Sequence, residues 1–384
     1  MDEASPSITC CITELDVGGA ENAFARIAVG LHRRGWTVRV ISLRDAGPLA
    51  KGIMDAGIPV TALNCGGMAD LRAVRRLANA LRSAPSDVLL CFLNQANIYG
   101  RLARCVLHFT DRAAEPRLLV SGVRVADRRA SVVWPDRLTS RLCDHYIAVS
   151  PSVARLHAEL CSISADRVST ICNGVDLLPD HDVVTGHSSE TFELLYVGRL
   201  VPQKAPLDLL QAFSQLPALL RERCRLSFVG DGPLRESIQK TAAQYGISHL
   251  VHLHGRSDDV RLLMRRADLL VLPSLWEGLP NVVLESMAEG LPVLATEVDG
   301  VRDLIVSGET GWLVRAGDPA SLSRAMEVAI SDPDLRRTFA KNAQHVVTQK
   351  FSWNLCVERY DRLLRDLLNS SRQILESKDE SEFC

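Results

Sequence analysis

The feature that most narrows the fold is a repeated alternation of short apolar runs with amphipathic stretches, broken once near the middle and then resumed. Ile8–Thr13, Thr37–Leu43, Val60–Leu63, Val88–Leu93, Arg117–Ser121 and His145–Val149 read as strands. After the first of them, Phe24, Ile27, Ala28 and Leu31 recur at i, i+3, i+4 and i+7, one face of a helix that Gly35 stops. Strand, crossover helix, strand marks a parallel sheet, because parallel neighbours need a long connection to return the chain to the same edge. Pro179, Gly186 and a cluster of Asp, His and Ser then interrupt the pattern as a linker. It restarts with strands at Leu194–Val197, Arg225–Val229, Val251–Leu253, Leu269–Leu272 and Pro292–Ala295. Helices are expected at Pro206–Arg221, Pro233–Tyr245, 280–289 and Ala320–Ile330.

The expectation is an α/β chain with two doubly wound, parallel-sheet, Rossmann-like domains, residues 1–176 and 192–350, joined by a linker at 177–191. They are expected to face each other across a cleft at the carboxyl ends of their strands, where such sheets bind ligands. A helix over 351–369 has aromatic anchors that allow it to pack back across the domain junction, and residues 370–384 read as a disordered polar tail. The chain of 384 residues is long enough for two such cores.

Net charge is −2, which gives no global attraction to nucleic acid. Residues 72–141 nevertheless carry thirteen Arg against five acids. That excess is either a solvated face or a surface for anionic lipid heads or an anionic acceptor. Eleven scattered cysteines with no C-x2-C pair point to reduced thiols rather than a disulfide framework or a zinc site. No secretory leader is visible and no apolar run approaches the roughly 18 residues that span a bilayer. A cytoplasmic protein is expected, with peripheral association at the inner face of the cell membrane left open through the basic N-terminal domain.

Chemistry concentrates at the expected strand ends. Glu277-Gly278-Leu279-Pro280-Asn281 leads into a helix that carries Glu285, an E-x7-E spacing with Pro280 suited to a first helical position. Two carboxylates on such a joint can hold different hydroxyls of one polyol, while the N–H groups of the helix start face an anion. Alone, the spacing equally describes two solvated glutamates. Val197-Gly198-Arg199-Leu200 with Lys204 ends a strand with two cations that can stabilise a diphosphate leaving group without a metal. Gly230 and Gly232 close the next strand and suit close backbone approach to a nucleotide. His254-Gly255-Arg256 closes the one after and could meet a base. In the first half, Gly18-Gly19 joins strand to helix where backbone N–H groups can approach an anion or a sugar. Asn173-Gly174 reads as a tight turn. Arg124, three residues past a strand end and followed by Arg128 and Arg129, could meet a phosphate or carboxylate on an acceptor.

In their order these motifs resemble the retaining glycosyltransferases of family 4. Gly18-Gly19-Ala20-Glu21, Asn173-Gly174-Val175-Asp176, the Arg199 and Lys204 segment, Val229-Gly230-Asp231-Gly232-Pro233, the E-x7-E segment and Gly308-x-Thr310-Gly311-Trp312 carry the resemblance over nearly the whole chain. It implies the GT-B architecture, with a nucleotide-sugar donor on the C-terminal half and a carbohydrate or lipid-linked acceptor on the N-terminal half. It assigns catalysis to Arg199, Lys204 and Glu277. Donor binding falls to Gly18, Gly19, Gly230, Gly255, Arg256, Gly278, Leu279, Pro280, Asn281 and Glu285, with Glu285 on the ribose and Glu277 on the sugar. Gln95, Asn97 and Arg124 are the acceptor-side candidates. The implied activity is a retaining, metal-independent transfer in cell-envelope or exopolysaccharide synthesis, with a UDP-sugar favoured and no cofactor.

Two departures from the family pattern stand out. Ala205-Pro206 replaces the Gly that usually follows the Lys, with little loss expected, and Gln95 stands where many relatives carry His. Gln cannot take up a proton near neutral pH. A GT-B nucleotide-sugar-binding protein with lost catalysis is therefore the alternative. The D-x-D pairs Asp180/Asp182 and Asp332/Asp334 lie outside the expected cleft and read as turn residues rather than a metal site.

Overall fold

Strands with near-continuous apolar sequence need helices on both faces, and each half of the chain meets that need with its own sheet. The computed structural model describes residues 5–67, 70, 72–125, 128–177, 191–257 and 259–382. Most of the expected linker, 178–190, with Asp180 and Asp182, lies outside the described residues. Two compact units result: Met1–Gly174 with Trp353–Cys384, and Val175–Ser352.

In unit 1 the strands are β1 (Ser7–Ile12), β2 (Thr37–Ser42), β3 (Val60–Ala62), β4 (Val88–Phe92), β5 (Leu118–Val123), β6 (His145–Ala148) and β7 (Val168–Thr170). The connecting helices are α1 (Gly19–Arg33), α2 (Ala50–Asp55), α3 (Arg72–Ser83), α4 (Asn94–Thr110), α5 (Ala130–Thr139) and α6 (Pro151–Cys161). All pairings are parallel, in the order β3-β2-β1-β4-β5-β6-β7. Every residue of β4 and β5 is buried. Ser150 caps α6 by accepting from the Val153 N–H, and Pro151 supplies a preset first turn.

Unit 2 repeats the plan with β8 (Phe192–Val197), β9 (Cys224–Val229), β10 (Val251–Gly255), β11 (Leu269–Leu272), β12 (Val293–Thr296) and β13 (Trp312–Val314), ordered β10-β9-β8-β11-β12-β13 and again parallel. Its helices are α7 (Pro206–Ser214), α8 (Ala218–Arg221), α9 (Arg235–Gln244), α10 (Val260–Arg266), α11 (Asn281–Ala288), α12 (Pro319–Ser331) and α13 (Pro333–Lys350). The single helix expected over 206–221 is two, because Pro217 cannot continue α7. Asp332 caps α13 through the Leu335 N–H at 2.9 Å, which accounts for one acid of the second D-x-D pair.

The last helix, α14 (Trp353–Glu382), belongs to unit 1. Its Cys356, Tyr360, Leu364 and Leu368 enter the same core as Ile8, Phe24, Ile27 and Phe92. Trp36 donates its indole N–H to Asp361 at 2.7 Å, and a Cβ on Gly30 of α1 would lie 2.5 Å from Val357. Residues 370–382 continue this helix rather than forming the disordered tail that their polarity suggested.

Candidate active site

Both sheets reverse strand order once, between β1 and β4 in unit 1 and between β8 and β11 in unit 2. Chain leaves these neighbours in opposite directions, so their loops part at the carboxyl ends and open a crevice. The switch point of unit 2 holds the charged residues. Lys204, in the loop after β8, donates from Nζ to Glu277 Oε1 at 2.5 Å, and Glu277 lies in the loop after β11. Ser274 Oγ donates to the same carboxylate oxygen at 2.6 Å. The two side chains are 17% and 7% exposed, sheltered enough for the charge pair to matter and open enough to meet a ligand. Backbone ties fix the loops: Leu275 N–H to Gln203 O at 2.8 Å, and Gln203 Nε2 to Trp276 O at 3.0 Å. Thr296, at the end of β12, donates to Ser274 O. An ammonium has three protons and one goes to Glu277, so the pair can keep its geometry while Lys204 serves an anion.

Arg199 is exposed in the same loop. Its carbonyl accepts from the buried Tyr196 hydroxyl at 2.9 Å. Burial first, and the Glu277 charge second, push the Tyr196 phenol well above its ordinary value, so it stays a neutral donor. Glu285 is half-buried in the second turn of α11. Pro280 is the residue before that helix rather than its first member, with φ −74° and ψ 107°, and Asn281 opens the helix. Gly278, Leu279 and Pro280 are buried, and the Gly278 carbonyl is packed so closely by the next loop that a Cβ on Gly300 would lie 2.0 Å from it.

The glycines after β9 have a local steric cause. Gly230 and Gly232 have φ of +133° and +158°, and a Cβ would lie 2.0 Å from Gly198 O and 2.5 Å from Leu200 O. Neighbouring loops of the same unit already require glycine there, whatever ligand the loop meets. Gly255 accepts from the Gly230 N–H at 2.7 Å, and His254 pairs with Ser227 at 3.1 Å. Arg256 is exposed at the end of β10, two strands from β8 in the sheet. Ala205 adopts the left-handed conformation, φ 44° and ψ 47°. The family's glycine suits that backbone better than Ala, so the replacement carries a cost that the helix-starting Pro206 does not remove.

Unit 1 is built otherwise at its own switch point. Thr13, after β1, accepts from the Ala96 N–H at the start of α4 at 3.3 Å. Leu93 holds φ 72°, a strained value for a branched residue, where β4 turns into α4. Gln95 and Asn97 are 4% and 5% exposed, and they donate to Gly66 O at 3.4 Å and Gly122 O at 3.0 Å. The start of α1 carries its own negative charge: Glu21 folds back so that a Cβ on Gly18 would lie 2.2 Å from its carboxylate, and Gly19 opens the helix beside it. Arg124 turns inward more than a solvated loop cation would. Its guanidinium stacks 5.3 Å from the Phe92 ring, donates to Asn173, and has Nε and Nη1 sealed from solvent.

Reading along the chain missed the residues that hold the charged ones, Ser274, Tyr196 and Thr296. Only the closeness of Ser274 to Glu277 in sequence offered a hint. It also missed Arg101, fully buried and paired with Asp136, with further bonds to Ser121 and Thr139. Asp136, His157 and Cys161 together have metal-ligand chemistry. Asp136 is already the counter-charge of Arg101, and burial pushes the Cys161 thiol up to about 12, so the group reads as a structural ion pair. A groove of about 660 Å³ lies between α1, α2 and α14 and is lined by none of the strand-end candidates.

Residues 17–177 match the family model described as Glycosyltransferase Family 4, and residues 179–346 match the one described as Glycosyl transferases group 1. The chain is 33% identical over 171 residues to the lipopolysaccharide core biosynthesis glycosyltransferase LpsE of Rhizobium meliloti, a stretch covering 44% of this chain and 49% of that one, so it spans about half that relative's length. Against the UDP-Gal:alpha-D-GlcNAc-diphosphoundecaprenol alpha-1,3-galactosyltransferase of Escherichia coli it is 24% identical over 341 residues, 83% of this chain and 86% of the relative. The crystal structure of HepE from Anabaena in complex with UDP superposes with a TM-score of 0.80 at 20% identity, covering 94% of this chain and 100% of that one, a likeness of fold. With both domain models matched in sequence and two parallel α/β units in the structure, the chain belongs to the family 4, group 1 glycosyltransferases of GT-B fold.

Proposed function

We propose that this protein transfers a sugar from a nucleotide-diphosphate donor, a UDP-sugar by preference, to a carbohydrate or lipid-linked acceptor in cell-envelope or exopolysaccharide synthesis. The observation that carries the reading is the Lys204–Glu277 pair across the switch point of unit 2, with Arg199 in the same loop. Lys204 and Arg199 balance the diphosphate as the bond from the anomeric carbon to the phosphate oxygen breaks. Glu277 orients Lys204 and offers its carboxylate to the sugar hydroxyls, while Glu285 takes the ribose. The acceptor hydroxyl attacks the anomeric carbon from the face the phosphate leaves, and its proton passes to a leaving phosphate oxygen. Configuration is retained, and no step calls for a metal. Unit 2 takes the donor and unit 1 the acceptor, at the cytoplasmic face of the membrane. Among the described residues no helix is long and apolar enough to cross a membrane.

The test is a panel of UDP-, GDP- and ADP-sugars with acceptors, following nucleotide release in EDTA. Release with at least one UDP-sugar is expected, and Glu285→Ala should weaken nucleotide binding more than it slows turnover. No binding or release with any donor would overturn the proposal. The alternative, a binding protein without catalysis, draws on Gln95, which is buried and bonded to Gly66 O at the position where many members of the family carry His. Donor binding without turnover across the acceptor panel is the result that favours it.

A further inference from the structure

Helix α5 is turned inside out for a surface helix. An ordinary one buries its apolar stripe and shows its polar face to water. Here Asp136 and Ser140 are buried and Thr139 accepts from the buried Arg101 at 3.0 Å, while Trp134 and Leu138 are 60% and 74% exposed. Leu142, in the 3-10 turn that follows, is 38% exposed. Arg137 on the helix and Arg141 in the turn are also exposed, and the Arg137 guanidinium lies 6.0 Å from the Trp134 ring. Between residues 128 and 142 the sequence has four arginines and one acid, and that acid, Asp136, faces inward.

We infer that the outward face of α5 docks unit 1 on an anionic phospholipid surface. Charge complementarity selects this occupant. An indole and a leucine one helical turn apart, with a second leucine in the turn that follows, present an apolar edge to the acyl boundary, while guanidinium groups beside them reach phosphate oxygens at headgroup depth. Arginine stems also cover apolar surface as their heads stay wet, which keeps the face soluble until it meets lipid. Neighbouring structure makes the inversion stable, since Arg101 needs Asp136 and Thr139 on its side of the helix. The helix lies between β5 and β6 in the chain, so the docking face belongs to the unit proposed to take the acceptor. The inference rests on the proposed membrane-face placement and adds the surface that makes the contact.

The experiment is co-sedimentation of the full chain with vesicles of phosphatidylcholine alone, or mixed equally with phosphatidylglycerol, at low and high salt. Binding to the mixed vesicles only, weakened by salt, is expected. Trp134→Ser with Leu138→Ser should lower it more than about tenfold. Arg137→Gln with Arg141→Gln should lower it about thirtyfold and flatten the salt dependence. Both pairs are exposed, and circular dichroism checks that each variant folds; should the first misfold, the arginine pair decides alone. Wild-type binding by both variants, or no wild-type binding to mixed vesicles, would overturn the inference. So would a wild-type dimer that Trp134→Ser with Leu138→Ser turns into monomers, because a second copy would then cover the face. UDP binding by calorimetry should be unchanged in the variants. If no donor binds while vesicle binding still depends on Trp134 and Leu138, the transferase reading falls and the docking face stands.

Discussion

Arg101–Asp136 in unit 1 and Lys204–Glu277 in unit 2 are both sheltered cation–carboxylate pairs, and they are built for different ends. Arg101 is wholly buried, lies 5.1 Å from the Tyr146 ring, and spends its protons on Asp136, Ser121 and Thr139. It joins α4, α5 and β5 beneath the surface. Lys204 stands at the mouth of a switch point, with one proton on Glu277 and the carboxylate steadied by Ser274. A guanidinium with its donors saturated can only hold structure. An ammonium anchored at one proton can hold a place and still accept an anion. Charge and burial alone do not separate the two; the remaining hydrogen-bonding capacity does.

Breaking each pair should therefore damage a different property. The largest effect is expected for Asp136→Asn, which strips the buried Arg101 of its counter-charge and should lower unfolding free energy by about 3–5 kcal/mol. Chemical denaturation measures this, and donor affinity should hold at temperatures where the variant stays folded. Next comes Lys204→Ala, with kcat expected to fall by two orders of magnitude or more, about 2.7–4 kcal/mol in the barrier. A Lys204→Ala protein with wild-type turnover would erase the contrast between the pairs.

A smaller effect concerns His157 beside Asp136. Burial, and secondarily the Arg101 charge, hold its imidazole below the ordinary value, while Asp136 opposes them. The unfolded chain thus binds the proton first, so stability is full above the unfolded value of about 6.5 and is lost as pH falls below it, by at most about 1.4 kcal/mol per pH unit. Denaturation midpoints between neutral and mildly acidic pH should show this slope, and His157→Leu should reduce it, leaving the part due to His145 and His252, which burial also holds low. The smallest change is Ala205→Gly beside Lys204, expected to add about 0.5–1 kcal/mol by relieving the left-handed backbone, with little change in kcat. A loss of stability there would show that Ala205 is not strained.

Much of the fold was legible because buried parallel strands write themselves as apolar runs: β4 and β5 are buried throughout and were found within a residue or two. Strand β13 escaped, since Trp312–Val314 is three residues long and only half-buried, too short for any period. Site residues were legible one at a time, as Lys204 and Glu277 were, but not as a pair, because two residues 73 positions apart meet only when β8 and β11 become neighbours. The packing of Arg124 was hidden for the same reason. Its partner Asn173 lies 49 positions on, and nothing local announces that the guanidinium turns inward over Phe92. Gly230 and Gly232 were recognised as special, but the atoms they must avoid, Gly198 O and Leu200 O, belong to another loop.

Because Cys356, Tyr360, Leu364 and Leu368 complete the core that Ile8 and Phe24 begin, unit 1 is synthesised before unit 2 in large part and yet is the later of the two able to finish folding. Residues 1–174 emerge with a sheet whose α14-facing side is still bare, and all of unit 2 is made before the helix that covers it. Val175–Ser352 is continuous and can close its own core on the way out, reversing the usual order in which the N-terminal domain matures first. During that interval Phe24, Phe92 and their neighbours lack the helix that covers them, a transient apolar exposure of the kind that favours aggregation.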